Sequence, residues 1–88
     1  MKNPTAKQKL SDIIVAVSWG DIARNYFKKS PSWLYHKLDG IDGNGKPSAM
    51  SDKEIEMLQN ALYDLSDRIR NSAMSLSELT DARRNHSA

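Results

Sequence analysis

Eighty-eight residues, 39% hydrophobic and 27% charged with a formal charge of +2, describe one small domain, and a chain of this length buries only about 60–65% of its unfolded surface. The absence of cysteine excludes disulfides, thiolate metal ligands and cysteine nucleophiles together. The only apolar run, Ile13 to Val17, is too short to span a bilayer, and Asp12 in front of it spoils it as a signal-peptide core, so a cytoplasmic protein is expected.

Met1 to Pro4 reads as a loose end. A helix is expected over 5–17, because Leu10, Ile13, Ile14 and Val17 recur at i, i+3, i+4 and i+7 while Lys7, Lys9 and Asp12 fall elsewhere. The β-branched cluster Ile13-Ile14-Val15 also has strand character, but no second such run exists to pair with it. Ser18 opens the next helix, over 18–27, with Asp21 three residues later in a capping-box arrangement; Trp19, Ile22, Ala23 and Tyr26 line its inner side. Trp19 on that stripe is read as core, its indole N–H requiring a carbonyl. Ser30 followed by Pro31 starts a third helix, over 30–39, which Gly40 can end in the left-handed conformation. Leu34, Leu38 and Ile41 form its buried stripe. Rotation by about 100° per residue then carries Ser32, Tyr35, His36 and Asp39 to the opposite, exposed side.

The run DIARNYFKKSPSWLYHKLDG resembles the helix-turn-helix of bacterial repressors, both the lactose-repressor type and the lambda-repressor and Cro type. Asp21-Ile22-Ala23-Arg24 matches the start of the first motif helix. Ser30-Pro31-Ser32-Trp33-Leu34-Tyr35-His36 lies where the recognition helix reads Ser-x-x-Thr-Val-Ser-Arg, and Leu38-Asp39-Gly40 stands where Leu-Asn-Gly commonly closes it. The resemblance covers about a quarter of the chain and departs from the pattern twice: Phe27 replaces the turn glycine, and the path from Ala23 to Ser30 is one residue longer. The words W-G-D-I-A and S-W-L-Y also make the whole chain similar to a group of short bacterial proteins to which no function is assigned.

Asp39 to Pro47 holds three of the four glycines and is read as a loop, a hairpin wing being one form it can take. Its Asp42-Gly43-Asn44-Gly45 imitates the middle of an EF-hand. In that register the first ligand would be Gly40 and the last Ser51, with Pro47 in place of an apolar residue, so a plain turn is preferred to a calcium site. Ser51-Asp52-Lys53-Glu54 is a second capping box, opening the longest helix over 51–71. Ile55, Leu58, Leu62, Leu65 and Ile69 step along it by three and four, with Met57 and Ala61 widening the stripe, as core first and as a coiled-coil seam second. Ser75-Leu76-Ser77-Glu78 is a third box, starting an optional short helix over 75–84. Because Leu76 and Leu79 stay in phase with Ile69, one continuous helix satisfies the pattern equally. Arg83 to Ala88 is expected to be mobile.

The fold class expected is therefore all-α, with four to five helices around a helix-turn-helix. Residues 1–71 form that domain and 72–88 a C-terminal extension. Its interior is expected to include Leu10, Ile14, Val17, Trp19, Ile22, Ala23, Tyr26, Leu34, Leu38, Ile55, Leu58, Leu62 and Leu65.

Charge is divided along the chain. Residues through Leu38 carry +5 and those from Asp39 onward −3, which fits an N-terminal half that meets nucleic acid and a C-terminal half that meets protein or water. An enzyme is not expected: His36 and His86 are the only histidines, and no metalloprotease, nucleophile-elbow or phosphate-loop motif occurs. No cofactor or metal is expected either. The expected partner is double-stranded DNA, bound sequence-specifically as by a small bacterial transcriptional regulator. Ser32, Tyr35 and His36 would contact bases, and Arg24, Lys28, Lys29 and Lys37 phosphates. A homodimer through the long helix or C-terminal segment would set two such helices on one site. The alternative is a protein-protein interaction module on the same scaffold that does not bind DNA, with Trp33 or Tyr35 as its anchor. Phe27 and the lack of Arg, Asn or Gln among the base-contacting residues favour that alternative; the basic N-terminal half favours DNA.

Overall fold

The computed structural model describes residues 5–86, and the segments expected to be loose at Met1–Pro4 and at Ser87 and Ala88 lie outside the described residues. Helices dominate as expected, with no strand among the described residues and one isolated antiparallel bridge between Ile41 and Pro47. The chain divides into two compact units, Met1–Leu58 and Gln59–Ala88.

In the first unit, α1 (Ala6–Lys9) is far shorter than the helix expected over 5–17. Thr5 and Gln8 cap it reciprocally, the Gln8 N–H donating to Thr5 Oγ1 at 3.2 Å and the Thr5 N–H to Gln8 Oε1 at 2.9 Å. Beyond Leu10 the backbone continues as successive turns, with Ile13 N–H on the Leu10 carbonyl and Ala16 N–H on that of Ile13. Two causes act together. Ile13, Ile14 and Val15 are β-branched and lose rotamer freedom in a helix, and the Ile14 carbonyl is taken by the Trp19 indole N–H at 2.7 Å. The indole thus finds its expected carbonyl. Val15 is left 94% exposed, while Leu10, Ile14 and Val17 are half-buried rather than interior.

Helix α2 (Trp19–Ile22) starts at Ser18, whose hydroxyl accepts from the Asp21 N–H at 3.4 Å. It runs straight into a wider π turn (Ala23–Phe27), closed by the N–H groups of Lys28 and Lys29, which both donate to the Ala23 carbonyl. Lys28 takes the left-handed conformation, φ 57° and ψ 38°, and turns the chain toward Ser30. There the Ser30 hydroxyl accepts from the Trp33 N–H at 3.2 Å and α3 (Pro31–Asp39) begins, as expected, with proline in its first turn. Gly40, at φ 80°, ends it.

The core of this unit is made by Trp19, Ile22, Ala23, Phe27, Leu34, Leu38 and Leu58, all buried. Removal from water stabilises each of the larger ones by about 1.5–3 kcal/mol. Tyr26 is half-buried, and Phe27 takes the interior place that the sequence pattern assigned to Tyr26. An ion pair from Lys7 to Asp39, at 3.2 Å, links α1 to the end of α3.

Helix α4 (Asp52–Ser75) begins with the expected box: the Ser51 N–H donates to Glu54 Oε1 at 2.8 Å and the Glu54 N–H to Ser51 Oγ at 3.1 Å. Its covered side runs through Glu54, Leu58, Ala61, Leu62 and Leu65, so Ile55, expected inside, falls at the margin and is 48% exposed. In the second unit α4 continues past Asn71 and Ser72, where an end was expected. Leu76 interrupts it, and α5 (Ser77–His86) follows. The box expected at Ser75 does not form, because that hydroxyl donates backward to the Ser72 carbonyl at 2.8 Å. The helix reaches His86, so Arg83 to His86 are helical where a mobile tail was expected.

Candidate nucleic-acid interface

Burial of Leu34 and Leu38 fixes the rotation of α3 and leaves its opposite side outward. Ser32 is exposed there, Tyr35 is 47% exposed and His36 is half-buried. These three base-contacting candidates therefore share one side of one helix, within two turns. At its approach stand Lys28 and Lys29, both exposed. The Lys29 ammonium lies 5.8 Å from the centroid of the Trp33 ring.

The other two cations are engaged elsewhere. Arg24 donates to Asp21 Oδ1 at 2.7 Å, with its guanidinium over Gly20, and this bond holds the Asp21 carboxyl below its ordinary range, with the Ser18 hydroxyl adding to it. Arg24 remains on the surface, beside a carboxylate that offsets its charge. Lys37 is drawn away from the outward side: its ammonium is 3.3 Å from both Glu54 Oε1 and the Ala49 carbonyl, and its side chain is only 20% exposed. The structure thus leaves Lys28 and Lys29 exposed in the turn before α3, with Lys29 over Trp33, and places Lys37 in a link to the start of α4. Glu54 gains from that link, but its carboxyl is held below the ordinary 4.5 chiefly by the Ser51 N–H.

Trp33 is packed rather than presented. Its ring centroid is 5.3 Å from that of Phe27, at 49°, and the Lys37 ammonium lies 5.8 Å from it on the α4 side. No sequence signal singled out Phe27 for this partnership, since the helical spacing pointed to Tyr26.

The loop after α3 is more ordered than its composition suggests. Asp42 Oδ1 accepts the N–H groups of Asn44 at 2.8 Å and Lys46 at 2.9 Å, and the Asp42 N–H donates to the Lys46 carbonyl at 2.8 Å. The acid of the calcium-like stretch therefore organises its own turn. A Cβ built on Gly43 would lie 3.6 Å from His36 Cε1, so the loop's first corner rests against the imidazole on α3. Asn44 and Lys46 are exposed beside it, and sequence reasoning assigned neither a role. On the other flank of α3 an open groove of about 430 Å³ runs between Tyr35, Leu38 and Asp39 and the turn segment bearing Ile14, Val15 and Val17.

Residues 6–76 match the family described as Domain of unknown function (DUF5053). The chain belongs to that family. The DUF5053 match takes in every element from α1 to α4, so the outward side of α3, the turn before it and the loop after it are all parts of the family's domain. No curated protein and no solved structure matches the chain. Among the described residues no helix is long and apolar enough to cross a membrane, and no cluster of His, Asp or Glu is placed to hold a metal ion.

Proposed function

We propose that this DUF5053 domain is a sequence-specific binder of duplex DNA, a small bacterial transcriptional regulator acting in the cytoplasm, with α3 as the helix that enters the major groove. The observation that supports this most is the turn before α3. Lys28 occupies a left-handed backbone position where a non-glycine residue is disfavoured, next to exposed Lys29 and at the head of a helix whose outward side is Ser32, Tyr35 and His36. Cations at that end suit a phosphate, and the polar side suits base edges. Lys28 and Lys29 are the phosphate-contacting residues and Arg24 a third beside Asp21, whereas Lys37 acts from behind by holding α3 to Glu54. The resemblance to the repressor helix-turn-helix points the same way. In such proteins two-fold pairing sets recognition helices about 34 Å apart, and we propose a homodimer formed through Ile69, Leu76 and Leu79, which are 60%, 61% and 55% exposed.

Fluorescence titration of the full chain against duplex DNA at several salt concentrations tests this. Affinity should fall linearly on a log–log plot. Lys28→Ala and Lys29→Ala should each lower the slope by about 1, while Ser32→Ala and His36→Ala leave it nearly unchanged and relax base preference by up to about 1–3 kcal/mol. Absence of any salt-dependent affinity at low ionic strength overturns the proposal.

A second function, as a protein-binding module, is favoured by one feature: the groove between Tyr35 and the exposed Val15 is apolar and lies beside the same helix. A module of that kind would lose its partner on Tyr35→Ala and show no salt-steep DNA affinity.

A further inference from the structure

We propose that the loop from Ile41 to Pro47 is a second DNA-contacting element, with Lys46 and Asn44 holding a phosphate of the strand opposite the one met by Lys28 and Lys29. This rests on the DNA reading of α3 and adds a contact site to it. Three observations carry it. The loop is built rather than slack: one carboxylate oxygen of Asp42 takes the N–H groups of both Asn44 and Lys46, the Asp42 N–H and Lys46 carbonyl pair across the neck, and the Ile41–Pro47 bridge and the Ser48 N–H on the Gly40 carbonyl, at 2.9 Å, close the base. It is placed: Gly43 lies against His36, at the margin of α3's outward side, and a side chain at Gly43 would be in contact with the ring. It is oriented in charge: Asp42 turns its carboxylate into the loop's own N–H groups, leaving Asn44 exposed at the tip and Lys46 exposed at the neck.

The geometry of the duplex supplies the rest. Nine residues of α3 rise about 13 Å, close to the roughly 12 Å width of the major groove, whose two walls are both phosphate. A helix seated there presents Lys28 and Lys29 to one wall. A loop seated against its C-terminal half reaches the other, and a lysine with a neighbouring amide is a donor set that a phosphate accepts. Ordering by Asp42 means that little loop entropy is lost on contact.

The test uses the full chain and duplex DNA at several salt concentrations, comparing wild type with Lys46→Ala, Lys29→Ala and Asp42→Ala, each checked for fold by circular dichroism. Lys46→Ala should lower the salt slope by about 1, and the double variant with Lys29→Ala by about 2. Asp42→Ala is the sharper variant, because removing an acid next to a bystander loop would strengthen attraction to phosphate. If the loop is a positioned contact, affinity should instead fall, by roughly two- to tenfold, the scale of one ordered hydrogen-bonding contact. A Lys46→Ala slope equal to wild type while Lys29→Ala lowers it, or tighter binding by Asp42→Ala, overturns the loop contact and leaves α3's role standing. Wild-type protein without salt-dependent affinity overturns both.

Discussion

Lys28 is the one non-glycine residue with positive φ among the described residues, and its position separates stability from function. A side chain in the left-handed region costs roughly 1–2 kcal/mol, and glycine would relieve that at the expense of a more flexible unfolded chain. Lys28→Gly should therefore stabilise the fold by a net amount of about 0.5–1 kcal/mol, raising the melting temperature by several degrees in a domain of this size. If the ammonium meets phosphate, the same variant should lower the DNA salt slope by about 1. A rise in melting temperature with an unchanged slope would assign Lys28 to the turn alone. Residue-scale roles were readable where the backbone itself asks for a side chain: Ser18, Ser30, Ser51 and Glu54 all cap as their spacing says, and Leu34 and Leu38 point inward. Phe27 and Lys37 were not readable, because their partners, Trp33 and Glu54, are met only after the chain has turned or crossed a loop.

At the scale of elements, α4's first turn is the place where protonation meets architecture. Glu54 accepts the Ser51 N–H and the Lys37 ammonium on the same oxygen, and its carboxyl titrates below 4.5, mainly because of that N–H. A carboxyl whose folded-state value is depressed contributes stability that is fully present above its unfolded value and lost as pH falls through the folded one. Stability should thus hold above about pH 5 and decline below the ordinary glutamate range. Glu54→Gln keeps a side-chain acceptor for the cap but cannot titrate, so its melting temperature should fall less steeply below pH 4.5 than that of wild type, as followed by circular dichroism. Parallel curves for the two proteins would remove Glu54 from the acid transition. Helix starts were legible throughout the middle of the chain because caps are local. The helix over 5–17 failed because the Trp19 indole takes the Ile14 carbonyl five residues before it and the β-branched run Ile13-Ile14-Val15 disfavours a helix, which together override an amphipathic spacing that was present. The end of α4 was misplaced because the Ser75 hydroxyl returns its hydrogen bond to the Ser72 carbonyl in the preceding turn instead of capping a new helix.

For the whole molecule, the unit from Gln59 onward is where the surface lacks cover. Ile69, Met74, Leu76 and Leu79 are each more than half exposed, Ile69 and Met74 on α4, Leu76 at the turn and Leu79 on α5. Sedimentation equilibrium at micromolar concentration should show a dimer that dissociates on Leu76→Asp or Leu79→Asp, with DNA affinity falling alongside because one helix in one groove binds weakly. A wild-type monomer at high micromolar concentration, with or without DNA, would remove self-pairing. The all-α class was legible from periodicity alone. The boundary between the two compact units after Leu58 carries no sequence signal, since it falls within α4 and neither a proline nor a glycine marks it.

The π turn has a consequence for any alignment of this chain. A turn closed by i→i+5 bonds holds one more residue than an α-helical turn, so, if the proposed likeness to the repressor helix-turn-helix holds, the extra residue between Ala23 and Ser30 is an insertion within the helix rather than a longer connection. In an alignment to that motif a gap would then belong between Ile22 and Lys28, moving the corner of the turn from Phe27 to Lys28, the residue that is left-handed. In such an alignment Phe27 would no longer stand at the motif's glycine, in keeping with its buried place in the core.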